Sequence, residues 1–496
     1  MRNWRSLFEI LKYPLEIIFA AVIMIGAGNL ITNQTYGTAL IYNNDYLFAA
    51  AEIMIRTGQF IIVHFPFLFL IRLSARRGGS ATTLISALCG YIGFLCATML
   101  FASSSLPSSA FSSIFGLSVN KSMVSFVTPG VHYPLQTGMI GAVITALVTM
   151  WAYNRSRRRN EYGFFSFISR ETSVMIRTTV FCILAGVLCA YGWPLLISGI
   201  QKVIHFISVD TTNPVNMALY GMSERVLGDF NLGTLIRQPF WYGTSGGSWI
   251  NVAGGAVAGD VSIWTAQVNA NAVAGMTGRF FTPYYIINIF AVPGMIWGMY
   301  SVTTDKMEKT KKRTLCIIAT LVSLLAGILL PLELMLLLLC PLLFILHLGL
   351  TGLLYAAMQY FHVYLGYYSS EQLVMTAMPG TLPELISYLR YPSLSRTVII
   401  IAGTGIVCML IYFLLTRFYF RHLAVDLFRT GETDRMVKTT LGAVGGVENI
   451  RMVHSSITAL TISVYDPTVM DLSLLKRLGS HRVYETRAGY SICFGA

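Results

Sequence analysis

Gly327-Ile328-Leu329-Leu330-Pro331-Leu332-Glu333-Leu334 sets a proline and a carboxylate close together in an apolar region that runs on to Pro341. Proline interrupts the helical hydrogen-bond ladder, and a carboxylate at membrane depth is costly unless it faces protein or water. Membrane carriers build substrate sites where a helix is broken in this way. The stretch therefore marks an expected functional centre within a membrane domain. The chain around it agrees. It has 496 residues, 55% hydrophobic and 11% charged, against roughly 25% charged in a soluble globular protein. Apolar stretches long enough to cross a bilayer recur from residue 14 to residue 418, as in an α-helical polytopic membrane protein.

The formal charge of +13 raises a nucleic-acid reading, but the basic residues cluster between apolar spans. Arg72, Arg76 and Arg77, then Arg155 and Arg157 to Arg159, Lys306 to Arg313, and Arg417 with Arg421 follow the pattern of cytoplasmic loops. The bilayer is the expected partner, and nucleic acid is not. Seven of the eight cysteines lie in apolar segments and none forms a CxxC pair, so neither a metal site nor a disulfide framework is expected. The start, Met1-Arg2-Asn3-Trp4-Arg5, is basic but lacks a small-residue cleavage site, and reads as a retained cytoplasmic start.

Spans are expected near 14–32, 81–103, 137–153, 174–199, 286–303, 314–357 and 397–418, with a shorter apolar piece at 61–71 and with 33–58 read as polar. From 209 to 285 the apolar runs shorten and Gly, Asn, Trp and Asp become frequent, as in Gly243-Thr244-Ser245-Gly246-Gly247-Ser248-Trp249. Such an insert lines a cavity or packs within protein, because lipid cannot satisfy irregular backbone. Residues 436–496 are soluble in character. A helical piece reaches Val444, Gly445-Gly446 follow, alternation over Ser456–Val464 predicts a strand, Asp471–Leu478 has helical spacing, and a short strand closes the chain.

Read in order, several motifs together resemble the glucose-type permeases of the bacterial phosphotransferase system, with IIC and IIB units in one chain. Tyr220-Gly221-Met222-Ser223-Glu224-Arg225-Val226-Leu227, with Phe230, Leu232 and Pro239-Phe240, resembles the segment before the family's sugar-site loop. Gly327 to Leu334 resembles its Gly-Ile-Thr-Glu-Pro-Ile-Glu-Phe, and Pro341 and His347 fall where the family has Pro and His. Gly445-Gly446-Val447-Glu448-Asn449-Ile450 with Ile457-Thr458 resembles the IIB domain around its phosphocysteine. The resemblance implies a IIC domain over residues 1–425, with about ten spans and re-entrant hairpins of the kind tolerated only inside protein. It further implies a short linker, 426–435, and a cytoplasmic α/β IIB-like module, 436–496. An inner-membrane homodimer that takes a sugar or sugar-like ligand, with no cofactor or metal, is the expected assembly.

In the family, phosphate passes from a IIA phosphohistidine to a IIB cysteine and then to the sugar held in IIC. This chain departs at each step. The cysteine position is Ser456, and a serine hydroxyl is a weak nucleophile without an adjacent base. The arginine that follows Ile-Thr in the family is Ala459, which removes a phosphate partner. The paired histidines are Gly233-Thr234, and the first glutamate of Glu-Pro is Leu330, which cannot accept a hydrogen bond. The linker signature is reduced to Phe428-Arg429-Thr430-Gly431-Glu432, a short tether. The positions Ser456, Gly233, Thr234 and Leu330 are thus read as degenerate, with no catalytic residue assigned.

Among the remaining polar residues, Glu224 is a ligand-binding candidate or, with Arg225, a structural ion pair. Asp229 and Arg237 flank the altered histidine positions and either reshape the site for another ligand or face water. Glu333 binds ligand or braces helix packing, and Asp260 reads as structural. Trp241, Trp249 and Trp264 stack on a sugar face or anchor at the membrane interface. The expectation is a permease homologue that binds a sugar-like ligand without phosphorylating it. Because the IIB-like module is retained, the first reading is a membrane sensor or regulator with a cytoplasmic regulator or phosphotransferase component as partner. A non-phosphorylating facilitator, or an active phosphotransferase with atypical residues or a IIB supplied in trans, are the alternatives.

Overall fold

The computed structural model describes residues 2–32, 44–78, 81–103, 105–120, 131–157, 170–250, 254–273, 277–303, 306–327, 329–368, 380–423, 438–455, 459–471, 473–474, 480–486 and 489–494. The chain divides into two compact units, Met1–Met299 with Thr314–Arg417, and Tyr300–Arg313 with Phe418–Ala496. The expected linker 426–435 lies outside the described residues.

Among the described residues, six helices are long and apolar enough to cross a membrane: Lys12–Thr32, Asp45–Val63, Ala81–Phe101, Glu171–Val209, Pro341–Tyr360 and Pro392–His422. Shorter apolar helices occupy Phe65–Ala75 and Leu330–Leu339. The Asp45–Val63 helix falls largely in the stretch read as polar. Asn44 caps it, its Oδ1 accepting the Leu47 N–H at 3.1 Å. One turn apart, Arg56 Nη2 and Glu52 Oε1 pair at 2.6 Å, which offsets the charges that made this segment look loop-like. The helix packs against the first one through glycines. A Cβ on Gly58 would stand 2.6 Å from Ile25 Cγ1, and one on Gly28 would stand 2.5 Å from Ile55 Cγ1. Small residues at such crossings let helix backbones approach closely in lipid.

The region 314–357 is not one apolar helix. Helices run over Lys306–Ala326, Leu330–Leu339 and Pro341–Tyr360. Gly327, with φ of 65°, supplies a left-handed turn that a side chain would strain. Pro331 and Pro341 both sit in the first turn of their helices, where no N–H is needed. Pro331 therefore starts a helix rather than breaking one, and Glu333 falls in its first turn, where the helix dipole favours a negative charge.

The semi-polar insert packs within protein. Its Pro214–Asp229 helix is capped by Asn213, whose Oδ1 accepts the Val215 N–H at 2.9 Å, with Pro214 at the first position. A second helix covers Thr234–Trp241 and a small antiparallel ribbon pairs Ser248–Ile250 with Ala256–Ala258. Tyr220, Phe240, Trp241, Phe280, Phe281 and Tyr284 form a buried aromatic core there, where edge-to-face contacts such as Tyr220–Phe280, 4.7 Å between centroids, add to burial.

In the second unit, four antiparallel strands lie in the spatial order Ile450–Ser455, Ala459–Val464, Gly489–Phe494, Ser480–Thr486. The single closing strand expected from sequence is a hairpin of two. Residues 438–443 are helical, and Ala443 and Val444 pack on Ile462. Gly445 and Gly446 turn the chain at φ of 89° and 93°. Asn449 then ties the unit together: its Nδ2 donates to Val444 O and Asp466 O, each at 2.8 Å, and its Oδ1 accepts the Asp466 N–H at 2.7 Å. Ser456 and most of the expected helix Asp471–Leu478 lie outside the described residues.

Candidate functional site

The Pro214–Asp229 helix carries Glu224, Arg225 and Asp229, all buried. A helix places Arg225 and Asp229 on one side, four residues apart. Arg237 comes from the next helix, one turn past Gly233. Its Nε donates to Glu224 Oε1 at 2.6 Å and its Nη2 pairs with the same oxygen. The guanidinium fits because two neighbours lack side chains. A Cβ on Gly233 would lie 2.9 Å from Arg237 Cζ, and one on Gly228 would lie 3.0 Å from Arg237 Nη2. Gly233 is thus the room that Arg237 occupies, in place of an emptied position.

The charges continue as one chain of contacts. Arg225 Nε lies 3.6 Å from Glu224 Oε2, and Arg225 Nη1 lies 3.4 Å from Glu333 Oε1. Glu333 Oε1 also meets His347 Nε2 at 3.2 Å, and His347 Nδ1 meets the Tyr412 hydroxyl at 2.9 Å. The Arg225 guanidinium lies 4.2 Å from the centre of the Tyr284 ring, a contact favoured by the negative ring face. Charges this deep are stable only when each has a partner. Removing one member of such a pair costs about 3–5 kcal/mol, because the other is left buried and uncompensated.

For Glu224 and Glu333 the described contacts are those of the bracing reading. Glu224 braces two helices, pairing mainly with Arg237 and more distantly with Arg225. Glu333 links its helix to Pro214–Asp229 and Pro341–Tyr360. Trp241 is a core residue: it is 4% exposed, its Nε1 donates to the Tyr220 hydroxyl at 2.8 Å, and it packs on Phe281. Trp264 is likewise buried, donating to Tyr388 at 3.1 Å, while Trp249 lies on the ribbon, half-buried. Asp260 Oδ1 accepts the Gly278 N–H at 2.9 Å and so fixes a turn. Thr234 Oγ1 hydrogen-bonds Gln136 Oε1, and Gln136 Nε2 donates to Asn231 O at 2.9 Å. Asp229 is buried among the network, yet neither of its oxygens has a hydrogen-bond partner among the described residues.

Leu330 opens the helix that carries Glu333. It packs with Leu334 and Leu338 on the apolar cluster around Ile18, Val22 and Ile25, the stripe that a spacing of four residues makes on a helix. Sequence reasoning missed Tyr284, Tyr412 and Gln136. A hydroxyl inside an apolar run was the signal available for Tyr284 and Tyr412, while Gln136, between Leu135 and Thr137, carried none.

A helical membrane domain whose insert folds around a buried charged network defines an integral membrane protein of the carrier type. Residues 8–352 match the family model described as Phosphotransferase system, EIIC, and the chain belongs to that family. It is similar to the PTS system glucoside-specific EIICBA component of Staphylococcus carnosus (strain TM300), at 28% identity over 505 residues, which covers 98% of this chain and 70% of that protein. These matches make it a permease of the glucose type, with an EIIC part and a further domain.

Proposed function

We propose that this chain binds a sugar-like ligand, of which a glucoside is the first class to test, without phosphorylating it, and that it acts as a membrane sensor or regulator. The observation that carries this reading is Arg237 seated against Gly233 and paired to Glu224. Where the resemblance implies a histidine, the site instead holds a guanidinium bound to a carboxylate. Such a group cannot deprotonate near neutral pH and so cannot serve as a general base. Leu330 in the apolar cluster adds to this, since a hydrocarbon side chain cannot take a proton from a sugar hydroxyl.

The wider assembly follows the same reading: about ten spans with re-entrant hairpins, a homodimer in the bacterial inner membrane, and a cytoplasmic IIB-like module over 436–496 reached through a short linker. The four-stranded sheet packed on residues 438–443 is compatible with such a module. A cytoplasmic regulator or a component of the phosphotransferase system is its partner.

Labelling from phosphoenolpyruvate decides the point. The purified protein, mixed with the general phosphotransferase components and a IIA, is expected to acquire no stable phosphate. A phosphate on the chain that disappears in Ser456→Ala overturns the reading in favour of an active phosphotransferase. Uptake of methyl β-D-glucoside into vesicles lacking the other components separates a facilitator, which shows it, from a sensor, which does not.

A further inference from the structure

Asp229 is the one acid of the network that its neighbours leave unanswered. It is 1% exposed, and neither carboxylate oxygen has a hydrogen-bond partner among the described residues. Glu333, Arg225, Glu224 and Arg237 all act on it electrostatically. Both guanidiniums already face other carboxylates, Arg237 facing Glu224, and Arg225 facing Glu333 and Glu224. The described cluster therefore sets three acids, Glu224, Asp229 and Glu333, against two arginines. Asp229 is also the last residue of its helix, at the end where the helix dipole disfavours a negative charge.

A buried carboxylate with no donor lacks the hydration it has in water, and no hydrogen bond from the described residues replaces it. The groups that act on Asp229 come from several elements, and among them Arg225 is held by its longer ion pairs while its Nε and Nη2 have no hydrogen-bond partner among the described residues. On its own helix the groups are Glu224 and Arg225. The following helix brings Arg237, and the Leu330–Leu339 helix brings Glu333, behind which stands His347 on Pro341–Tyr360. Tyr284 lies against Arg225.

We propose that Asp229 is a proton-binding site. One carboxyl oxygen takes a proton from a solvent hydronium ion, whose O–H bond breaks to leave water as the carboxyl O–H bond forms, and the cluster becomes neutral with two ionised acids facing two arginines. A ligand that reaches this position then meets a carboxylic acid, which donates and accepts, in place of an acceptor-only carboxylate. That consequence rests on the ligand-binding reading above, whereas the proton itself does not. Loss or gain of phosphate labelling leaves it untouched.

The test is an infrared difference spectrum of the purified full-length protein at neutral pH, wild type minus Asp229→Asn. The expected result is the carbonyl stretch of one protonated carboxylic acid per chain, shifted on exchange into heavy water. A difference containing only carboxylate bands overturns the proposal. That is the result if a metal cation holds Asp229 ionised, or if the balancing proton resides on His347. Should Asp229→Asn not fold, Asp229→Ser removes the same carboxyl while retaining an oxygen, and its subtraction is read the same way.

Discussion

At the scale of single residues, the site depends on what is missing as much as on what is present. Adding one methyl group in Gly233→Ala pushes on Arg237, and overpacking of this kind costs about 1–3 kcal/mol. The loss should fall to a few tenths in an Arg237→Ala background, because the clash then has no target. A double-mutant cycle on detergent-solubilised protein, read by thermal unfolding, measures that coupling. Arg237→Met alone leaves Glu224 buried without its closest partner and should destabilise by about 3–5 kcal/mol, while Glu224→Gln with Arg237→Met should recover much of it. In the second unit, Asp466 is held below the usual aspartate range, chiefly by the Thr468 hydroxyl and then by the Thr468 N–H. Its folded-state pKa is depressed, so its contribution is present above the unfolded value and lost as the pH falls through the folded one. Wild type should thus lose stability over this acid range more steeply than Asp466→Asn does, as acid titration of unfolding by circular dichroism would show.

At the scale of elements, much of the architecture was legible because long apolar runs leave little choice in a bilayer. The misread segments are those where local composition and tertiary pairing disagree. Residues 45–58 look polar until Glu52 and Arg56 are seen to offset each other within one helix. The break expected at Pro331 within the apolar run 314–357 comes instead at Gly327, and the two prolines open new helices. Glu224, Asp229, Arg237, Glu333 and Trp241 were each singled out from sequence, and the fold brings them into one neighbourhood. Their roles were not legible, since the contact of Glu333 with His347 and of His347 with Tyr412 joins separate helices. Gly58→Leu tests the first helix pair: a side chain there meets Ile25 and the Ala21 carbonyl, and should lower thermal stability by at least about 1–3 kcal/mol. In the sheet unit, Asn449→Ala removes three hydrogen bonds at once and should cost about 1–3 kcal/mol, the summed net worth of bonds that water partly replaces.

At the scale of the whole molecule, the C-terminal residues offer a direct test of the proposed regulatory role. Deleting residues 436–496 should leave ligand binding by the membrane domain intact while abolishing signalling to a cytoplasmic partner, as a reporter assay of the regulated response would show. Loss of binding along with signalling would instead mean that the membrane domain needs the deleted segment. The network from Arg237 to Tyr412 also imposes a schedule on biosynthesis. Glu224 meets Arg237 only 13 residues later in the chain, but Arg225 waits for Glu333, which is 333 − 225 = 108 residues further on. At ribosomal rates of about 5–20 residues per second, that arginine spends roughly 5–20 s without its distal carboxylate. During that interval the nascent chain depends on Glu224, on water or on the insertion machinery to shelter a charge. Synthesis, and not only stability, is therefore where substitutions at Glu333 should first be felt.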